Sequence, residues 1–320
     1  MVIGFRSRRQ AVSMDARTRS SVLIVAIAFL LATALAGRAH ACSQCMCGTP
    51  FPAGVLGGVV PMQFAYGLEE RFLSKTSALD AGPGEERERE HRVAAFAMWR
   101  PLDRIALLAR LPYNLKEITG AGAAAAEGTQ TSRGVGDAEL TVLAGLMRQA
   151  GGRATTLGVV LGGSAPTGSS DVRDAGGERL DAHLQPGTGA WSGTVGLNLT
   201  VGAGRGTWDA SVLGRTSGTN AHGYRYGNAM LYNAGFTSRA WRGVQWLAQI
   251  NGRSAARDRF EDGSAGASTG GMVTYVAPGV RWRFGPGLIV DGAVQVPAIQ
   301  RLFDDQHEHA TGRLSLSIGR

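Results

Sequence analysis

The sequence predicts an all-β protein, a transmembrane antiparallel up-and-down β-barrel of about twelve strands with short periplasmic turns and longer external loops. Three observations predict it. The chain opens with an export signal, its apolar and polar residues alternate with period two, and its connections alternate between very short and long.

The export signal comes first. Arg17 and Arg19 precede an apolar run over 22–36, which ends at the small-residue stretch Ala39-His40-Ala41. A basic flank, a short apolar core and a small-residue cleavage site form a secretory signal, so residues 1–41 are expected to be removed. Met14 is an alternative start that gives a more usual basic flank. A lipoprotein signal would also place a cysteine at Cys42, but it favours Leu at Ala39 and a small residue at His40.

The signal holds six Arg and one Asp, so five of the eight excess positive charges leave with it. The remaining chain is only slightly basic and carries no Lys/Arg cluster interleaved with aromatics, which argues against nucleic acid as a partner. No later apolar run is long enough for a membrane-spanning helix. The expected organisation is a signal at 1–41, a periplasmic cysteine-containing segment at 42–58 and a barrel at 59–320.

Alternation is clearest where Trp191, Val195, Leu197, Leu199 and Val201 interleave with Ser192, Thr194, Asn198 and Thr200. Period two means a strand with one apolar face. The pattern recurs at Val244, Trp246, Ala248 and Ile250, at Leu288, Val290, Val294 and Val296, and at Leu314, Leu316 and Ile318. Applied throughout, it places strands near 59–76, 91–101, 104–118, 134–149, 153–166, 188–202, 205–217, 223–240, 243–257, 269–284, 286–300 and 307–319. A tilted membrane strand needs about ten residues, so these lengths allow a crossing with overhang.

Tight turns are expected at Pro101-Leu102-Asp103, Ala150-Gly151-Gly152, Ala203-Gly204, Trp241-Arg242 and Gly285. Longer polar connections fall at 77–90, 119–133, 167–187, 218–222, 258–268 and 301–306. A barrel with one end of turns and one of loops places both termini in the periplasm. A soluble sandwich also alternates, but its connections need not alternate in length, and its polar faces would not be so rich in Asn, Gln, Arg and Asp. Trp99, Trp208, Trp241, Trp246, Trp282, Tyr224 and Tyr226 fall towards strand ends, where aromatic girdles belong.

Several phrases resemble the bacterial outer-membrane family known as Putative MetA-pathway of phenol degradation. They are Gly134-Val135-Gly136-Asp137, Pro166-Thr167-Gly168, Leu184-Gln185-Pro186-Gly187-Thr188-Gly189, Gly223-Tyr224-Arg225-Tyr226-Gly227, Gln249-Ile250-Asn251-Gly252-Arg253, Ala277-Pro278-Gly279 and Gln295-Val296-Pro297. The resemblance spans about 55–319. It implies a barrel of this size in the outer membrane of a Gram-negative bacterium, passing small and aromatic or hydrophobic solutes. Its partners would be outer-membrane lipid, those solutes and the outer-membrane insertion machinery. The chain departs from many outer-membrane strands in ending Ser317-Ile318-Gly319-Arg320 instead of on Phe or Trp.

Transport selectivity is expected in the lumen, because inward side chains choose what passes. By parity the inward candidates are Asp137, Glu139, Asn198, Arg215, Arg225, Asn233, Gln245, Gln249, Asn251, Arg253, Arg281, Arg283, Asp291, Gln295 and Arg313. Their charges suit either an open, selective pore or cross-lumen pairing that plugs a narrow barrel.

Cys42, Cys45 and Cys47 form a compact cluster just past the cleavage point. They suit one disulfide and one spare thiol, or a soft metal ion such as Cu(I) with Met46 nearby. In the second case the barrel is an anchor that presents a metal or redox site to a periplasmic partner. The run Glu85-Glu86-Arg87-Glu88-Arg89-Glu90 reads as a solvated external loop, and so does Asp304-Asp305-Gln306-His307-Glu308-His309, although in an extended strand His307 and His309 would share a face that could chelate a divalent ion. The Gly-rich stretch 162–168 lacks the Gly-Lys-Ser/Thr of a phosphate loop, and no nucleophile elbow is present. A surface lipid hydrolase on the barrel is the remaining enzyme alternative, and no catalytic residue is assigned.

Overall fold

The computed structural model describes residues 63–78, 84–122, 128–149, 155–284 and 287–319. The export signal and the segment carrying Cys42, Cys45 and Cys47 lie outside the described residues. The strands are β1 (Phe64–Ala78), β2 (Gly84–Leu102), β3 (Ile105–Gly122), β4 (Gly128–Val135), β5 (Ala138–Gln149), β6 (Thr155–Ala165) and β7 (Ser192–Ala203). They continue as β8 (Gly206–Ser217), β9 (Ala229–Ser238), β10 (Val244–Ala255), β11 (Gly271–Phe284), β12 (Leu288–Leu302), β13 (His307–Glu308) and β14 (Thr311–Gly319).

These segments make twelve wall strands. β4 and β5 both pair with β3, separated by a break at Gly136 and Asp137, and β13 and β14 both pair with β1. Each wall strand pairs antiparallel with its neighbours in chain order. The sheet then closes on itself through β1 and β14, from Ala65 opposite Gly319 to Phe72 opposite Gly312. Closure leaves no free edge, which a membrane interior demands because unpaired backbone groups there find no water.

The two faces are inverted relative to a soluble fold. Outward positions carry Leu68, Leu111, Leu140, Leu161, Val195, Leu197, Ile250, Val276, Val294, Leu314 and Leu316, all well exposed. Inward positions carry Glu69, Arg110, Asn198, Asn233, Gln249, Arg253, Arg281, Asp291, Arg313 and Ser315, all buried. Apolar side chains out and ionisable ones in is the arrangement hydrocarbon selects. Leu197 stands midway along β7, so Leu197→Arg is expected to destabilise the barrel by about 2–4 kcal/mol, a charge on the lipid face being costliest at mid-depth. Urea unfolding in phospholipid vesicles measures it; an unchanged midpoint would mean that this face does not meet lipid.

Phe64, Tyr66, Trp99, Trp208, Trp246, Trp282 and Phe284 are exposed near the short-turn end and form a girdle there. Trp241 lies in a turn at the same end. Tyr224 and Tyr226, expected in a girdle, are instead buried in a loop, where they stack edge to face with centroids 5.0 Å apart.

Two loop expectations are corrected. The run 85–90 belongs to β2 and pairs on both sides, for example Glu88 with Lys75 and Glu90 with Lys116. Its alternation is itself a strand pattern: Glu88 and Glu90 face inward, where Lys75 and Arg92 pair with them, while Arg87 and Arg89 face out. The span 119–133 is likewise mostly strand, since β3 runs to Gly122 and β4 begins at Gly128. His307 and Glu308 form β13, at the start of the expected strand 307–319, and Arg253 donates to the inward Glu308 carboxylate. In the opposite sense, the predicted strand 223–240 begins only at Ala229, and residues 218–228 form an ordered loop.

Candidate functional site

The lumen combines two things, a lining of paired charges and a long loop folded against it. On the β1–β3 wall, Glu69 Oε1 accepts from Arg71 Nε at 2.7 Å and from Arg110 at 2.5 Å, and Arg110 also lies 3.9 Å from Glu139. On the far wall, Arg281 Nε donates to Asp291 Oδ1 at 2.6 Å, and Ser315 Oγ donates to Asp291 Oδ2 at 3.3 Å. Asp209 accepts from Asn233 Nδ2 at 2.7 Å.

Nearer the long loops, Arg253 grips both oxygens of Glu308, NH1 lying 3.3 Å from Oε2, and Tyr275 OH donates to Oε2 as well. Lys75 lies 3.5 Å from Glu88, and Arg92 lies 2.8 Å from Glu90. Some donors remain: Arg281 NH1 and Arg313 NH2 are buried with no hydrogen-bond partner among the described residues. Such groups cost free energy inside an apolar core, but they suit the polar contents of a lumen.

The loop is 166–191, between β6 and β7, and it is tied to the wall from both sides. Asp137 holds its two ends together, because Oδ1 accepts from Gly168 N at 3.0 Å while Oδ2 accepts from Thr188 N at 2.8 Å and Thr188 Oγ1 at 2.5 Å. From β3, Asn114 Nδ2 donates to Pro186 O at 2.6 Å and Lys116 Nζ to His183 O at 2.7 Å. Ser132 of β4 donates to Leu184 O. From the loop before β9, Tyr226 OH donates to Ala182 O at 2.9 Å, and Tyr224 OH, bonded to Asp258 at 2.6 Å, lies 3.3 Å from His183 Nε2.

The loop also bonds itself. Gln185, fully buried, receives Val172 N at 2.8 Å on Oε1 and donates to Leu180 O at 2.8 Å. Such closure of backbone groups onto side chains lets a loop pack like a core element.

Close backbone approach explains three glycines. A Cβ on Gly168 would lie 2.7 Å from Gly136 C and 2.8 Å from Gly187 Cα, and one on Gly187 would lie 2.6 Å from Gly168 C. The phrases around Gly136, Gly168 and Gly187, far apart in sequence, therefore meet in one stack beside Asp137. The phrase around Tyr224 and Tyr226 joins them from the other side.

Glu139, Asn198, Arg215, Asn233, Gln245, Gln249, Asn251, Arg253, Arg281, Arg283, Asp291, Gln295 and Arg313 all sit at inward positions of the wall strands. Asp137 sits in the break between β4 and β5 and is spent on the loop. Arg225 does not line the wall: it is exposed in loop 218–228, where Nε donates to Ser217 O at 3.0 Å and its backbone bridges Thr219 and Arg259. The inward members of β1 to β3, chiefly Glu69, Arg71, Arg92, Arg110, Asn114 and Lys116, are absent from the sequence-based set. Period two was visible there also, in Glu69, Arg71, Leu73 and Lys75.

In the external loops Arg257 NH2 donates to Asp304 Oδ1 at 2.8 Å, which holds that carboxyl below its ordinary value. His307 and His309 face each other with ring centroids 5.3 Å apart, their nitrogens near Gln300 and Thr76. Among the described residues no group of three or more His, Cys, Asp or Glu is placed to hold a metal ion.

No curated protein matches this chain in sequence. Among solved structures, the chain is similar to the COG4313 outer membrane channel from Pseudomonas putida F1, with TM-score 0.64 at 14% identity, covering 84% of this chain and 99% of that one. Weaker likenesses are the CymD monoaromatic hydrocarbon channel, TM-score 0.43 at 9% identity over 88% and 97% of the two chains, and the P. putida toluene transporter TodX, TM-score 0.39 at 10% identity over 80% and 89%. At these identities the first likeness establishes the outer-membrane barrel fold, and the other two add nothing to it. The family model described as Putative MetA-pathway of phenol degradation matches residues 101–297, which include the break at Asp137, the whole of loop 166–191 and the strands β3 to β11. The chain belongs to that family of outer-membrane β-barrel transporters.

Proposed function

We propose that this barrel is a passive outer-membrane channel for small aromatic or hydrophobic solutes, and that loop 166–191 sets what passes. One observation carries the reading: a loop with its own buried core is tied by Asp137, Asn114, Lys116, Ser132 and Tyr226 against a lumen wall of paired charges. A barrel serving only as an anchor has no need of a lumen so furnished. The similarity to an outer membrane channel and the family's connection with phenol degradation support the same reading.

The outward apolar face meets outer-membrane lipid. Export by the segment 1–41 and assembly by the outer-membrane insertion machinery bring the chain there. The reading is one of passage, not of catalysis.

Purified barrel in planar bilayers is expected to show discrete conductance steps, and cells expressing it to take up a simple phenol faster than cells without it. A folded barrel with neither conductance nor uptake overturns the reading.

A further inference from the structure

A groove of about 620 Å³ is cut into the outer face of the barrel, across β10, β11, β12, β14 and β1. Its floor is formed where two outward positions are glycine. Gly292 lies between Val280 and Leu314, and Gly312 between Val294 and Phe72. A Cβ on Gly312 would meet nothing within 4 Å, and one on Gly292 only Leu314 Cδ1 at 4.0 Å. The hollow is therefore the space of missing side chains, with Phe72, Trp246 and Pro278 among its walls.

One end of the groove lies at Trp246, in the girdle. The other lies at Glu70, six residues up β1 from Phe64. A strand rises about 3.3 Å per residue, so with a tilt near 40° Glu70 stands about 15 Å above the girdle, close to the middle of an apolar band about 25 Å tall. Glu70 Oε1 is 3.3 Å from His91 Nδ1, and both side chains are about half exposed, at 49% and 50%. Ionisable groups at membrane depth normally face the barrel interior; one aimed at lipid is costly and points to a site.

The occupant follows from that placement. An acyl chain fills the apolar part but offers Glu70 no hydrogen bond, and a phospholipid headgroup stays at the interface, well away from mid-depth. Both ends of the groove are satisfied by a small molecule with a flat apolar body and one hydroxyl donor. We propose that the groove binds membrane-dissolved hydroxylated aromatics of the phenol type, the hydroxyl donating to Glu70 and the ring lying against Phe72 over Gly312. The substrate class rests on the channel reading above; the site itself does not.

The test is fluorine NMR of 4-fluorophenol titrated against the barrel in nanodiscs, with fluorobenzene as the probe lacking the donor. Binding of 4-fluorophenol is expected to saturate. Gly312→Leu, which fills the groove without meeting any neighbour at Cβ, should abolish it, with Gly292→Leu as the second filling variant. Glu70→Leu should weaken it about tenfold or more while leaving fluorobenzene unchanged, because only the hydroxyl bond is lost.

The groove assignment is overturned by unsaturable binding, by binding that survives the filling variants, or by fluorobenzene binding as tightly as 4-fluorophenol. Conductance of the same variants is measured alongside. Loss of groove binding with conductance intact, or conductance absent with groove binding intact, tells the failure of one proposal from the failure of the other.

Discussion

Glu308→Ala is expected to cost the barrel about 3–5 kcal/mol, because it removes the carboxylate that neutralises a buried guanidinium. Arg253 and Glu308 are each 1% exposed, and Tyr275, which shares the carboxylate, is fully buried. Removing the acid takes away the carboxylate that both Arg253 and Tyr275 donate to in this buried cluster. It also weakens the short β13 segment, where Glu308 is paired to Lys75 and its backbone N–H donates to Gln300 Oε1 at 2.8 Å.

The double variant Arg253→Leu/Glu308→Leu should recover much of the loss, since a well-packed apolar pair often replaces a buried ion pair at little cost. Urea unfolding in vesicles, followed by tryptophan fluorescence, measures both. A single variant no less stable than wild type would show that water reaches this pair freely.

Asp137→Ala is expected to open the channel rather than unfold it. Its carboxylate takes three hydrogen bonds from the loop, and bonds to a charged acceptor are worth about 1.5–3 kcal/mol each, though not additively. Losing them frees both ends of loop 166–191, while the wall keeps its strand pairing because Asp137 lies in the break between β4 and β5. Single-channel conductance should rise clearly and the unfolding midpoint should move little. Asp137→Asn, which keeps one acceptor oxygen, should fall between. Unaltered conductance in the alanine variant would mean that the loop does not restrict passage.

The wall was legible from the sequence because hydrocarbon and water impose opposite demands on alternate residues. Strands such as β7, β10 and β12 carried that signal plainly, and their inward polar residues followed by parity. Reading failed where two rules gave the same residues different meanings. The run Glu85 to Glu90 is charged like a loop and alternates like a strand, and the partners that decide the matter, Lys75 and Lys116, lie on other strands.

The loop site was less legible. The glycines at 136, 168 and 187 were visible as family phrases, but their purpose is the mutual contact of three backbones distant in sequence, which no local pattern encodes. Asp137 was selected as inward, and its task as a clamp needed Thr188 brought beside it. Tyr224 and Tyr226 were misplaced to a girdle because aromatic residues near a strand end carry the same signature whether they face lipid or a folded loop.

The seating of loop 166–191 has a consequence for the order in which the molecule can be built. Its contacts reach back to Asn114, Ser132 and Asp137 and forward to Tyr224, Tyr226 and Asp258, while the wall is sealed only when Ala65 meets Gly319. Contacts of such long sequence separation form late, since loop closure must precede them. The strands up to β6 can associate while the loop still lacks half its moorings, so a nascent barrel passes through an unlatched stage before the last strand docks. Assembly and gating then draw on the same joint: a variant that loosens the clamp should lengthen that stage in the cell as well as widen the finished passage.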